Sequence, residues 1–282
     1  MMYTILQPVF FKYNSKMSHK SLLFFLVSLI LFSCKNEDKP AGPETPTTPS
    51  SIRAISYSVV NTYPHDTSSF TQGLVVYKGK MYEGTGNYGF SKLLQTDIAT
   101  GKINNAVSLS DKYFGEGIVI LHDTLYQLTW QEKTVFAYTV PGLRKIAEYP
   151  LSTQGWGITT NGAELIVSDG SSNLYYYDPA GFKLLRTQAI TENGNLSYNL
   201  NELEYINGFI YANQWQAPYI LKIEPGSGSI VGKIDLNDLW GRVKAIDRDA
   251  DVPNGIAYDE ETGKIYITGK KWPELYEVRF GE

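Results

Sequence analysis

From Ile52 to Phe280 the chain alternates short apolar runs with polar breaks, and the breaks fall on glycine, asparagine, aspartate and proline. Runs rich in Tyr, Ile, Val and Leu with such boundaries predict strands and tight turns. Their order recurs. One strand follows each of FTQGL at 70–74, FGEGI at 114–118, QGWGI at 154–158, LNELEY at 200–205 and PNGIAY at 253–258. A second reads KMYEGTG at 80–86, TLYQLTW at 124–130, ELIVSDG at 164–170, FIYANQW at 209–215 and KIYITGK at 264–270. A third runs through KLLQTDIATGKI at 92–103, TVFAYTVPGLRKI at 134–146, NLYYYDPAGFKLL at 173–185, YILKIEPGSGSI at 219–230 and ELYEVRF at 274–280. A fourth strand, NAVSL, AEYPL, RTQAI or GKIDL, closes four of the units, and the fifth unit ends without one.

The variable position at the start of each first strand holds Gln72, Glu116, Trp156, Asn201 and Asn254, at intervals of 44, 40, 45 and 53 residues. A period in this range marks a repeat architecture. The pattern predicts an all-β fold, a five-bladed β-propeller. The stretch IRAISYSVVNTYP at 52–64 supplies the missing strand, so that the N-terminal strand closes the last blade. The extra length of the last interval lies in the charged segment 239–252, LWGRVKAIDRDADV, which is expected to cap the channel mouth and bring Trp240 to the substrate.

Residues 1–51 do not fit the repeat. Lys20 precedes an unbroken apolar run from Leu22 to Phe32 that stops at Ser33-Cys34, the layout of a signal peptide and too short to span a bilayer. Leu31-Phe32-Ser33-Cys34 resembles a bacterial lipobox, which makes Cys34 the expected lipidation site; an uncleaved signal anchor is the other reading, and Met17 an alternative start. Residues 34–51, rich in Pro, Thr, Ser and Glu, predict an extended tether, and residues 52–282 the propeller. The expectation is an exported, lipid-anchored monomer on a bacterial periplasmic or surface membrane, touching that membrane only through Cys34.

Composition narrows the chemistry. Cys34 is the only cysteine, so the folded part has no disulfide and no thiol nucleophile. The formal net charge is −4, and without Lys12, Lys16 and Lys20 of the leader it becomes −7. No basic block suggests nucleic acid. The three histidines, His19, His65 and His122, fall outside the repeat positions, which argues against a His-ligated zinc centre or a Ser-His-Asp triad. No Gly-rich phosphate loop is present. No cofactor is expected for catalysis; the pattern leaves room for a structural ion in the channel.

In a propeller the innermost strands line a central channel. The repeat therefore gathers Gln72, Glu116, Trp156, Asn201 and Asn254 at one end of it, with Thr85, Trp130, Asp169, Trp215 and Lys270 from the ends of the second strands. Carboxylates, a lysine, amides and three of the five tryptophans at equivalent positions point to a site, since packing positions would vary among Val, Ile and Leu. A non-catalytic lipoprotein binding a peptide or glycan at the channel mouth fits the same pattern. A glycosidase would need a carboxylate pair such as Glu83 and Asp169, and YEGTG reads better as a strand-end turn.

Taken together, FTQGL, YEGTGNYGFSKL, FGEGI, LTW, GWGI, NELEY, ANQW, PNGIAYD and TGKKWPELYEV resemble the papaya-type glutaminyl-peptide cyclotransferases, which also occur in bacteria. The resemblance covers residues from about 55 to 280. It implies a five-bladed propeller that closes an N-terminal glutamine of a peptide or protein to pyroglutamate and releases ammonia. It implies Glu116 as proton shuttle, Lys270 as a second catalytic group, and Gln72, Trp130, Trp156, Asn201 and Trp215 around the substrate. Family members often carry an acidic residue before GWG, where this chain has Gln154-Gly155. Lys270, Gln72 or Asn201 is left as the donor to the developing oxyanion.

Overall fold

The computed structural model describes residues 52–281; the leader, Cys34 and the tether lie outside the described residues. The described chain folds into five sheets, antiparallel apart from two short parallel pairings at the rim of the fourth. The first is built from Thr71–Tyr77, Lys80–Thr85, Lys92–Thr96 and Ile103–Ser108, and the second from Gly115–Leu121, Thr124–Thr129, Thr134–Thr139 and Lys145–Pro150. The third comprises Ile158–Thr160, Leu165–Ser168, Asn173–Asp178 and Lys183–Ala189. Leu200–Ile206, Phe209–Gln214, Tyr219–Glu224 and Ser229–Asp235 form the body of the fourth; Pro253–Asp259, Lys264–Gly269 and Glu274–Phe280 form the fifth.

The first strand of each sheet touches the first strands of its two neighbours, and the first strand of the fifth sheet returns to that of the first. The result is a β-propeller-like ring of sheets. Burial follows radius: Gly115–Leu121 is buried at every position, whereas Lys145–Pro150 is largely exposed. Inner strands have packed neighbours on both faces and so read as continuous apolar runs; outer strands alternate with solvent.

The apolar core is divided to match. Tyr82 and Leu93 of the first sheet pack on Leu125 and Phe136 of the second, and Leu128 and Val135 of the second on Leu165 and Val167 of the third. Leu174 meets Leu221, Ile220 meets Ile267, and Met81 shares a cluster with Tyr266 and Leu275. Each sheet is therefore glued to the next by its own buried layer.

Glycines set how closely the inner strands converge. A Cβ on Gly73 would stand 2.4 Å from Ile118 N, on Gly117 2.7 Å from Trp156 O, and on Gly157 2.1 Å from Asn201 O. At the equivalent position the fourth sheet carries Glu202 instead. Its side chain reaches into the channel and accepts hydrogen bonds from Ile256 N at 2.9 Å and Leu74 N at 3.4 Å.

The N-terminal stretch, read from sequence as one strand, is two. Arg53–Ala54 pairs in parallel with Gly232-Lys233 at the rim of the fourth sheet. Tyr57–Pro64 then pairs antiparallel with Glu274–Phe280, Tyr57 opposite Phe280 and Pro64 opposite Glu274. A small hairpin, Thr191–Glu192 with Asn195–Leu196, adds to the fourth sheet.

Segment 239–252 departs from its expected role. It lies largely in a helix, Asn237–Ile246, because Leu239 and Val243, four residues apart, form one apolar stripe. That stripe packs with Trp272 and Tyr276, and Trp240 lies against the same cluster and does not line the cavity described below.

Candidate active site

One end of the channel opens into a cavity of about 280 Å³, just below the range of about 300–1,000 Å³ usual for small-molecule sites. Gln72, Glu116, Trp130, Trp156, Asn201, Trp215 and Lys270 all line it. Every sheet contributes, since the first strands start here and the second strands end here. Asn254, Thr85 and Asp169 do not line it. Asn254 is buried behind Gln72, Thr85 bonds its own sheet through Lys92, and Asp169 caps a turn through Ser171.

Three further lining residues were not singled out from sequence: Phe70, Phe114 and Asn87. Phe70 and Phe114 each stand two residues before the variable position, in FTQ and FGE, so the repeat carried their signal. Asn87 sits in a loop without a repeat counterpart, at positive φ.

The walls are aromatic. Trp156 and Trp215 meet edge to face with centroids 5.5 Å apart; Phe114 meets Trp130 at 5.6 Å and Phe70 at 6.3 Å. Backbone bonds fix these rings: Trp130 N donates to Phe114 O at 3.0 Å, and Gly117 N to Trp156 O at 2.7 Å. Gly170, at φ +79°, lies against the Trp156 indole, where any side chain would collide with the ring. The Trp156 indole N–H is buried without a partner.

Against these walls stand two ionisable groups. Glu116 is 5% exposed, and among the described residues its carboxylate accepts no hydrogen bond. Burial pushes its pKa well above the usual glutamate value; the Lys270 ammonium opposes this and the Glu132 carboxylate adds to it. Burial likewise lowers Lys270, while Glu116 and Asp251 pull it back up. The Lys270 ammonium lies 4.6 Å from the centroid of the Phe70 ring, and its backbone is held by Asp251 N to Lys270 O at 2.7 Å and Lys270 N to Val252 O at 3.1 Å. The end of segment 239–252 thus serves the site through the lysine's backbone.

Asn254 fixes the orientation of the Gln72 amide. The Thr71 carbonyl can only accept, so Asn254 turns its NH₂ towards it, at 2.9 Å. The same NH₂ donates to Gln72 Oε1 at 3.2 Å, which leaves the Gln72 NH₂ as the end available to the cavity. An aromatic slot with an uncommitted carboxyl, an ammonium and an oriented amide can hold a polar side chain, move a proton and stabilise an oxyanion.

His65 is elsewhere, between Glu83 (3.2 Å) and the Trp272 carbonyl (2.7 Å), on the seam of the first and fifth sheets. Glu83 also accepts from Thr71 Oγ1 at 2.7 Å, so it is a structural hub and no partner of Asp169.

Comparisons with known proteins bear on the chain as a whole. The family model described as glutamine cyclotransferase matches residues 26–280. A glutaminyl-peptide cyclotransferase of Arabidopsis thaliana is 40% identical over 233 residues, covering 81% of this chain and 72% of the plant protein. The crystal structure of Myxococcus xanthus glutaminyl cyclase superposes with a TM-score of 0.77 at 34% identity, over 82% of this chain and 98% of the other. On the strength of that match along nearly all of the described fold, the chain belongs to the glutamine cyclotransferase family.

Proposed function

We propose that the protein is a glutaminyl-peptide cyclotransferase, an aminoacyl-transferring enzyme that converts the N-terminal glutamine of peptides or proteins to pyroglutamate and ammonia. The observation that carries the reading beyond family membership is Glu116, a buried carboxyl with no hydrogen-bond partner in the wall of an aromatic cavity.

In this reading the glutamine side chain enters between the tryptophans and its α-amine folds back onto its own carboxamide. Both reactants belong to one molecule, so holding the folded conformer contributes much of the rate. The amine nitrogen bonds to the carboxamide carbon, and Glu116 takes the proton that this nitrogen sheds. The carbonyl oxygen carries the developing negative charge towards the Gln72 NH₂, with the Lys270 ammonium and the Asn201 amide on the same wall. Glu116 then delivers its proton to the departing nitrogen, the old C–N bond breaks, and ammonia leaves. A carboxyl lifted towards neutrality performs both transfers. With Gln154-Gly155 uncharged, the carboxylates that act on the two ionisable groups of the site are Glu132, felt by Glu116, and Asp251, felt by Lys270.

The activity follows a bell with pH. Its acid limb reports ionisation of Glu116, shifted above the usual glutamate range, and its alkaline limb reports Lys270, shifted below the usual lysine range.

The finer architecture belongs to the same proposal. The antiparallel pairing of Tyr57–Pro64 with Glu274–Phe280 supports five blades closed by the N-terminal strand. The lipobox-like sequence supports export and lipid anchoring at Cys34. The test is ammonia release from glutaminyl peptides, compared with the same peptides beginning in asparagine. Release from the glutaminyl series alone is expected; equal inertness of both would overturn the assignment.

A further inference from the structure

Glu132 stands two residues beyond Trp130, outside the cavity lining and half-buried. Its carboxylate is nevertheless committed to the site. Oε2 accepts from Phe114 N at 3.2 Å, and Oε1 accepts from the Tyr88 hydroxyl at 2.8 Å. The Phe114 carbonyl in turn accepts from Trp130 N at 3.0 Å. One turn of the second sheet therefore grips Phe114 on both sides of its Cα, two residues before Glu116. Tyr88, from the loop of the first sheet that also supplies Asn87, completes the grip with its ring edge-on to Phe114 at 5.4 Å.

Building on the cyclotransferase reading, we infer that Glu132 is a positioning residue for the reaction: its carboxylate clamps Phe114 and Tyr88 at the cavity and adds a negative charge that Glu116 feels. The two effects have separate chemical origins. The clamp depends on two acceptor oxygens and shapes the aromatic wall that receives the glutamine. The charge opposes that of Lys270, which faces Glu116 from the fifth sheet and is itself influenced by Asp251. Removing the negative charge leaves Lys270 unopposed, and Glu116 then ionises at lower pH.

The separation makes the inference testable with a glutaminyl tripeptide and pH profiles of kcat/KM. Glu132→Gln loses the charge and one acceptor oxygen. It is expected to raise KM about tenfold, the worth of one hydrogen bond to a charged group, and to move the acid limb to lower pH. Tyr88→Phe removes one of the clamp's two bonds but keeps the charge, so KM rises while the acid limb stays. Glu132→Asp restores the charge and with it the wild-type limb. Thermal unfolding of all three checks that the ring is intact. An unmoved acid limb in Glu132→Gln, or a limb that moves equally in Tyr88→Phe, overturns the inference while wild-type turnover still upholds the cyclotransferase reading. A wild type that releases no ammonia overturns both.

Discussion

Glu116 and Glu202 occupy the innermost strands of the second and fourth sheets, and both are nearly sealed from solvent, at 5% and 1% exposure. Burial drives both carboxyls well above the usual glutamate value. They differ in what their oxygens meet. Glu202 stands where each of the other four sheets has a glycine, Gly73, Gly117, Gly157 or Gly255, and its oxygens are taken by Leu74 N and Ile256 N across the channel. Glu116 stands one position earlier in the repeat, beside the cavity, with no donor on it and an ammonium within its field. A buried carboxyl is thus a strut when backbone donors fill it and a reagent when its lone pairs are left for something that arrives later. Glu204 continues the strut, accepting from Tyr258 N at 2.7 Å.

The strongest way to break this contrast is to neutralise each carboxyl in turn. Glu116→Gln keeps shape but cannot shuttle a proton, so turnover falls about 10²–10⁴-fold, the usual worth of general acid–base catalysis, while the melting temperature does not fall, since a buried ionisable group is replaced by a neutral one. Glu202→Gln leaves turnover at the wild-type level. Parallel losses of activity in the two variants would erase the distinction.

Glu202→Ala asks what the strut holds. Two buried backbone donors lose their acceptor, at about 1–3 kcal/mol each, measured as a fall in the urea midpoint with kcat retained. Normal stability would mean that water takes over the role.

Trp130→Ala sharpens the other side. The lost contact surface raises KM and lowers kcat, together about tenfold or more in kcat/KM for roughly 1.5–3 kcal/mol of apolar burial. Water admitted beside Glu116 also lowers its pKa, so the acid limb moves down. A change in KM with a fixed limb would separate substrate binding from the desolvation of Glu116.

The smallest effect is on stability against pH. Burial raises Glu204 to about 8 from its usual 4.5, and Glu202 is raised as well. Groups raised in the folded state contribute stability that is fully present below the unfolded value and is lost as pH climbs through the folded one. The melting temperature should therefore decline between about pH 4.5 and 8, and Glu204→Gln should flatten that decline.

Much of this was legible in sequence because the repeat aligns chemistry with geometry. The period that put Gln72, Glu116, Trp156 and Asn201 in one column also puts them around one axis, and the second-strand ends deliver Trp130, Trp215 and Lys270 to the same end. Asn254 obeys the same period yet serves as a bracket for Gln72, since the column fixes where a side chain starts and not which neighbour it meets. Glu132 was hidden because it belongs to a turn and acts through the backbone of Phe114. The helix at 237–246 is hard to read because its charged residues mask a two-residue apolar stripe.

The meeting of the two ends of the described residues at the fifth sheet has one more consequence. Gly281 N donates to Ser56 O at 2.7 Å, next to the Tyr57–Phe280 pair, so the backbone almost forms a covalent circle. A molecule of this kind has no privileged beginning. Joining residues 52 and 281 through a short linker and opening the chain at an exposed outer turn, such as Gly226-Ser227, gives a circular permutant with the same set of strand partners. Order along the gene and order around the axis are then separate properties, and only the second is needed to assemble the site.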